Sequence, residues 1–294
     1  MKNAQRKAPA PAARSSSVEA AAGICLSVDV EEWFHVPGHP FAAPGMDWSL
    51  FPSTVDEGVE RALQLMDALS VSATFFVLGE AARRYPGIPR RIVSCGHELA
   101  SHGLSHRPMD ELEDREAAVE AGESRKLLED SAGVAVKGFR APCWRVGSRQ
   151  AFYATLEAAG YEYSSSLLWR KPAAVQAGIR GKRVVEIPAL RFHPPFPPVP
   201  AGGTVALRTL PLWLLRLARD TALTAGRPAV YWFHPWELVP EGPRANKGPL
   251  FNWARFHGLD KLAPVLKSLV PRGDRTLRSL WALSSEGAAA QAPP

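Results

Sequence analysis

Short apolar runs recur along this chain at intervals that leave room for a helix between each and the next. Ile24-Cys25-Leu26-Ser27-Val28-Asp29-Val30 reads as a strand buried on both faces. Ala73–Leu78, His97–Ala100, Val136–Arg140, Tyr161–Ser166, Val184–Pro188 and Ala229–Phe233 follow it. The intervening segments predict helices: from a Ser53 or Thr54 cap to Leu69, a short one from Glu80, and another through Ile92 and Val93. More follow over Asp110–Ser131, with Asp110 and Glu113 spaced as a capping box, over Gln150–Ala159, ended by Gly160, and near Leu212–Thr224. Strand and helix in alternation predict an α/β fold, a barrel of about seven parallel strands.

Such folds place their chemistry at the carboxyl ends of the strands, and the reactive residues of this chain lie there. The first run ends in Asp29, Glu31 and Glu32, followed by Trp33, Phe34 and His35. Acids are costly at the end of a buried strand unless something cationic faces them. The third run is followed by Ser101-His102-Gly103-Leu104-Ser105-His106, whose two imidazoles are four residues apart; one helical turn would aim both at a single point. Two histidines and a carboxylate suit a divalent metal with open positions for water and a substrate oxygen. The fourth run leads into Arg140-Ala141-Pro142-Cys143-Trp144 and the last into His234-Pro235-Trp236-Glu237. Asp29, Arg140 and His234 are thus available as base, orienter of the base and acid, and metal-assisted amide hydrolysis uses all of these together.

Composition narrows the class. In 294 residues the formal charge is +6, yet the basic residues are scattered and not interleaved with aromatics, so nucleic acid is not expected as a partner. Three cysteines, Cys25, Cys95 and Cys143, without CxxC spacing argue against a disulfide framework or a thiolate zinc site. No apolar window is long enough for stable membrane insertion. Residues 1–22 are rich in Ala, Pro and Ser, lack a signal-peptide core and read as a disordered tail of a cytoplasmic protein. The main domain is expected over 23–240, with a helical extension over 241–294 packed on the barrel.

The ordered set Ser27-Val28-Asp29-Val30-Glu31, Ser101-His102-Gly103-Leu104-Ser105-His106, Arg140-Ala141-Pro142-Cys143-Trp144 and Trp232-Phe233-His234 resembles the polysaccharide deacetylases of the NodB-homology type, carbohydrate esterase family 4. The stretch from His234 onward resembles the subfamily found with exopolysaccharide and exosortase (PEP-CTERM) loci of bacteria. The resemblance implies a distorted (β/α) barrel that removes N-acetyl groups from an amino-sugar-containing polysaccharide or oligosaccharide. It also implies one divalent metal, zinc before cobalt, nickel or iron. By position Asp29 matches the catalytic base, His102 and His106 the metal ligands, Arg140 the orienting arginine and His234 the general acid. The oxyanion amide falls at Cys143 or Trp144, and Trp144 and Trp236 are candidates to contact substrate.

Two departures stand out. The family's usual pair of adjacent aspartates is here Asp29-Val30-Glu31. Strand alternation puts Asp29 and Glu31 on one face, so Glu31 is the expected metal carboxylate and Glu32 the reserve. The acid that pairs with the catalytic histidine has only a loose match, Glu162. His97 reads as a strand or supporting residue, and His35, His39, His193 and His257 carry no ligand spacing. Trp33, Trp144, Trp169 and Trp236 suit either sugar stacking or core packing. Two alternatives use the same scaffold: a C–N hydrolase acting on a small cyclic amide or ureide, and a glycan-binding module without turnover.

Overall fold

The computed structural model of the chain describes residues 23–35, 47–168, 184–192, 199–244 and 248–270. Among the described residues seven strands form one parallel sheet: β1 (Ile24–Val30), β2 (Thr74–Val77), β3 (Glu98–Ser101), β4 (Gly138–Phe139), β5 (Tyr163–Ser164), β6 (Val185–Glu186) and β7 (Ala229–Phe233). Their order across the sheet is β6-β5-β4-β3-β2-β1-β7. First and last strands are therefore neighbours, with Ser27 opposite Trp232 and Val28 opposite Phe233. The sheet curls into a distorted barrel, as expected, with β6 and β7 at its two edges.

That seam is stitched by irregular backbone. Leu190 N–H donates to Val230 O at 2.8 Å, Gly202 N–H to Leu190 O at 2.9 Å, and Trp232 N–H to Gly202 O at 2.9 Å. A Cβ on Gly202 would overlap Val230 O, so only glycine lets the two backbones approach this closely.

Alternation along β1 explains the two interiors. Ile24, Leu26, Val28 and Val30 face outward into the main core beneath the helices. Cys25 faces the barrel lumen with Phe76, Ala100, Tyr163, Ile187 and Val230. Ser27 and Asp29 continue that inner row, which turns from apolar to charged toward the carboxyl end.

The covering helices are α1 (Val55–Leu69), α2 (Gly79–Arg84), α3 (Gly87–Ser94), α4 (Asp114–Ala132), α5 (Arg149–Ala158), α6 (Thr204–Thr209), α7 (Leu212–Thr224), α8 (Pro249–Phe256) and α9 (Leu262–Leu269). Of the two expected caps, one is refined and one corrected. Thr54 precedes α1 without a side-chain cap, whereas Ser53 Oγ accepts from Val55 N–H at 3.4 Å and the Glu32 carboxylate accepts from Thr54 N–H at 3.1 Å and from Ser53 Oγ. A carboxylate there satisfies an orphan amide and complements the positive end of the helix. The capping box of α4 is formed by Glu113 and Glu116, with Asp110 lying before it in a 3-10 turn. Helix α6 went unpredicted because its six residues are too few to show a period. Of the expected extension, α8 and α9 are observed; residues 1–22 and 271–294 lie outside the described residues. No helix among the described residues is long and apolar enough to cross a membrane.

Candidate active site

Asp29, His102, His106, Arg140 and His234 meet at the carboxyl end of the sheet, around Glu31. Its carboxylate, 4 % exposed, touches His106 Nε2, lies 3.5 Å from His102 Nε2 and presents its other oxygen to His234 Nε2 at 3.4 Å. Burial alone would raise the Glu31 pKa, but the facing histidines, His106 first, hold it well below the usual carboxylate range. Glu31, His102 and His106 are all buried and offer three donor atoms within 4.8 Å of one another, a set that could hold a metal ion. The donor chemistry fits a divalent cation: two imidazoles and one carboxylate, with His102 oriented through Nδ1 by Arg140 O at 2.9 Å.

The convergence of the histidines has a different cause from the one expected. No helical turn joins them. Gly103 and His106 both take left-handed backbone (φ 82° and 62°), and this kinked loop folds the second imidazole back over the first, ring centroids 5.4 Å apart. The loop is held from outside, since Glu120 of α4 accepts from Leu104 N–H at 2.7 Å and from Ser105 N–H at 3.0 Å. Glu32, the reserve ligand, is not part of the cluster; it is the cap of α1.

Beside this triad Asp29 forms a buried ion pair with Arg140, Nη1 to Oδ1 2.6 Å. Arg140 is fully buried and every face of it is used. It donates through Nε to Ser165 O at 2.9 Å, through Nη1 to Ser27 Oγ at 2.9 Å and through Nη2 to Ser165 Oγ at 2.9 Å. The rings of Phe76 and Trp144 lie 4.1 Å and 4.6 Å from its guanidinium carbon. Such a fork holds the Asp29 carboxylate in one orientation.

His234 closes the other side. Its Nδ1 lies 3.1 Å from Glu237, whose carboxylate also accepts from His234 N–H at 2.9 Å and pairs with Arg208 at 3.2 Å. Burial would lower the His234 pKa, yet Glu31 and Glu237 together raise it. Glu237 is in turn held below the usual range by His234 and Arg208 against its own burial. Glu162 is not that partner: it is exposed and faces Lys137 at 3.6 Å. The signal for Glu237 was the i,i+3 spacing of His234-Pro235-Trp236-Glu237, which is a capping box around the histidine.

Cys143 and Trp144 form a tight 3-10 turn in which both residues are left-handed, φ 56° and 59°. The turn uses Trp144 N–H, donated to Ala141 O at 3.1 Å, and leaves the Cys143 amide outside its hydrogen bonds. Burial pushes the Cys143 thiol up to about 12, so it stays protonated at neutral pH. Trp144 is half-buried and packs on Trp232, ring centroids 5.2 Å apart. Trp236 is 3 % exposed and is not a free platform. One ring face stacks on His234, 5.4 Å between centroids and 20° between planes, and Arg255 lies 4.3 Å from the ring centroid. His97 sits at the amino end of β3, its Nδ1 accepting from Ala73 N–H at 3.4 Å, and His257 is exposed against Trp253. His39, His193 and Trp169 lie outside the described residues.

Residues 48–164 match the polysaccharide deacetylase family model, and residues 163–277 match a domain of unknown function (DUF3473). A peptidoglycan-N-acetylglucosamine deacetylase of Bacillus cereus is 33% identical over 107 residues, covering 35% of this chain and 39% of that protein. The matched stretch is thus about two fifths of that relative's length. A candidate polysaccharide deacetylase from Mycobacterium smegmatis has a similar fold, TM-score 0.63 at 20% identity over 99% of this chain and 96% of that one. An allantoinase is as similar in shape, TM-score 0.63 at 16% identity over 94% and 93%. The likeness in sequence to polysaccharide deacetylases thus lies over residues 48–164.

Proposed function

We propose that this chain, with its polysaccharide deacetylase segment at 48–164, hydrolyses the C–N bond of N-acetyl groups on an amino-sugar polysaccharide. The observation that carries the reading is the meeting at Glu31 of three different constellations: a carboxylate and two imidazoles, the Asp29–Arg140 pair, and His234 backed by Glu237. Amide hydrolysis needs a base for water, a proton for the leaving amine and stabilisation of the carbonyl oxygen, and each has its own residue here.

Glu31, His102 and His106 would hold one divalent metal; the family resemblance favours zinc, and two imidazoles with one carboxylate also suit cobalt, nickel or iron. When bound, such an ion lowers the pKa of water and polarises a carbonyl. The rest falls to the chain. Asp29, fixed by Arg140, accepts a proton from the attacking water. The Cys143 amide, left outside its turn, donates to the acyl oxygen as negative charge develops there. His234, whose Nδ1 is tied to Glu237, offers its Nε2 proton to the departing amine nitrogen. Trp144 and Trp232 give the site an apolar wall on the β7 side. The exopolysaccharide assignment rests on the resemblance of the stretch from His234 onward alone.

The allantoinase is 16% identical and shares the fold, whereas a curated relative at 33% identity is a deacetylase of N-acetylglucosamine, so the glycan reading is favoured over ring opening of a cyclic ureide. Metal-reconstituted protein incubated with N-acetylated oligosaccharides should release acetate. A His102→Ala, His106→Ala double variant should lose both the acetate and stoichiometric metal. Turnover of a cyclic ureide without acetate release from any glycan would replace this reading with the other. Unchanged metal content in the double variant would place the ion elsewhere.

A further inference from the structure

His35 is the one histidine of the site that the chemistry above does not use. It ends the turn after β1, where two hydrogen bonds fix it: His35 N–H donates to Glu32 O at 3.1 Å, and Glu32 N–H donates to His35 Nδ1 at 3.1 Å. A ring nitrogen that accepts a backbone N–H carries no proton, so the ring is neutral with its proton on Nε2. That state also bars Nε2 from serving as a fourth metal ligand.

Packing leaves the ring no freedom. It lies parallel to His106, 4.8 Å between centroids and 16° between planes, with Trp48 at 4.3 Å on a tilted contact and Phe34 edge-on at 5.0 Å. The residue is 2 % exposed. Yet Nε2 is buried and has no hydrogen-bond partner among the described residues. The titratable and charged groups around it are His106, Glu31, His102 and Arg255. Glu31, the one acceptor among them, already has its two oxygens turned to His102, His106 and His234. A buried donor held this rigidly beside a centre of donors and acids is matched by an oxygen acceptor, not by a cation.

We infer that His35 is a ligand-binding residue, its Nε2–H donating a hydrogen bond to a carboxylate or acyl oxygen seated against Glu31, His102 and His106. The inference rests on the deacetylase reading for the identity of that ligand, an acetyl group before cleavage and acetate after it.

The test uses metal-loaded protein with sodium acetate as the probe. Nitrogen-15 NMR of the imidazoles should report the Nε2–H tautomer for His35. His35→Phe keeps the stacked ring and removes the donor; it should weaken acetate binding about tenfold, the effect of one lost hydrogen bond to a charged acceptor. His35→Gln, which carries a donor near the Nε2 position, should recover affinity to within about threefold. Metal content should be unchanged in both. Should the phenylalanine variant fail to fold, His35→Asn supplies an acceptor for Glu32 N–H without the Nε2 donor, and it should show the same loss. An Nδ1–H tautomer, or equal acetate affinity in the donor-less variant, would overturn the inference. Acetate release from oligosaccharide by the unmodified protein is measured alongside. Its absence would defeat the deacetylase reading, while the tautomer still decides the state of His35.

Discussion

Asp29→Asn separates two roles that a buried carboxylate can have at this site. If Asp29 is the base, the variant should keep its metal, because the three converging donors are Glu31, His102 and His106 and do not include Asp29. Its rate should fall by about two to four orders of magnitude, the span of a positioned general base. The stability cost follows from the surroundings of Arg140. Removing one partner of a buried ion pair costs about 3–5 kcal/mol when the other charge is left bare. Arg140 would not be bare: Ser165 O, Ser165 Oγ and Ser27 Oγ remain, and Asn keeps an oxygen for Nη1. The loss should therefore approach that of one charge-assisted hydrogen bond, about 1.5–3 kcal/mol. Urea unfolding at constant m-value, elemental analysis and acetate release read the three quantities on one preparation. Loss of metal in Asp29→Asn would make Asp29 a ligand and transfer the base role to Glu31. A stability loss near 5 kcal/mol would mean that the serines do not hold the guanidinium.

His234→Ala should retain metal and lose rate on acetamides, with a smaller loss on an aryl acetate, whose leaving group needs no proton; equal losses on both would remove His234 from the acid role. Cys143→Ser should keep most activity, because the proposed donor there is the backbone amide and the thiol stays protonated; a fall beyond about a hundredfold, the scale of one lost oxyanion donor, would contradict that. Glu237→Gln should cost about 1.5–3 kcal/mol at neutral pH, the scale of one charge-assisted hydrogen bond, because Arg208 keeps the carbonyls of His257 and Ala254. The Glu237 carboxyl is depressed in the folded state by His234 and Arg208, so its contribution is complete above the unfolded glutamate value of about 4.3 and declines as pH falls toward the folded value. Unfolding measured from pH 7 down to pH 3 should show the gap between variant and parent closing only in acid, and a gap independent of pH would refute it.

The legible part of the site was what local periodicity carries. Asp29 and Glu31 were readable because a strand repeats every two residues, and β1 continues that alternation into the lumen. His102 and His106 were readable as a pair but not in their geometry: the left-handed loop at Gly103 and His106 is held by Glu120 of α4. Glu32 looked like a ligand because sequence cannot tell which of two adjacent acids turns inward; its neighbour 21 residues on, Ser53, decides the matter. Arg208 and Arg255 were out of reach, since each meets its partner only through tertiary packing of the helices after β6. The strand boundaries of β4, β5 and β6 shrank to two residues each, where the ladder is short and the flanking apolar residues extend the pattern beyond it.

The adjacency of β1 and β7 has a consequence in time. Ser27 Oγ reaches Tyr231 O across 204 positions of chain, and the proposed base and acid stand at the carboxyl ends of these two neighbouring strands. During synthesis at about 5–20 residues per second, β1 waits roughly ten to forty seconds before its last neighbour exists. Until then its edge is bare and the carboxylates of Asp29 and Glu31 have no His234 opposite them. A ribosome-bound chain stopped before Ala229 would hold the histidine pair and the arginine yet present an unpaired strand edge, a surface on which chaperones act and other strands add.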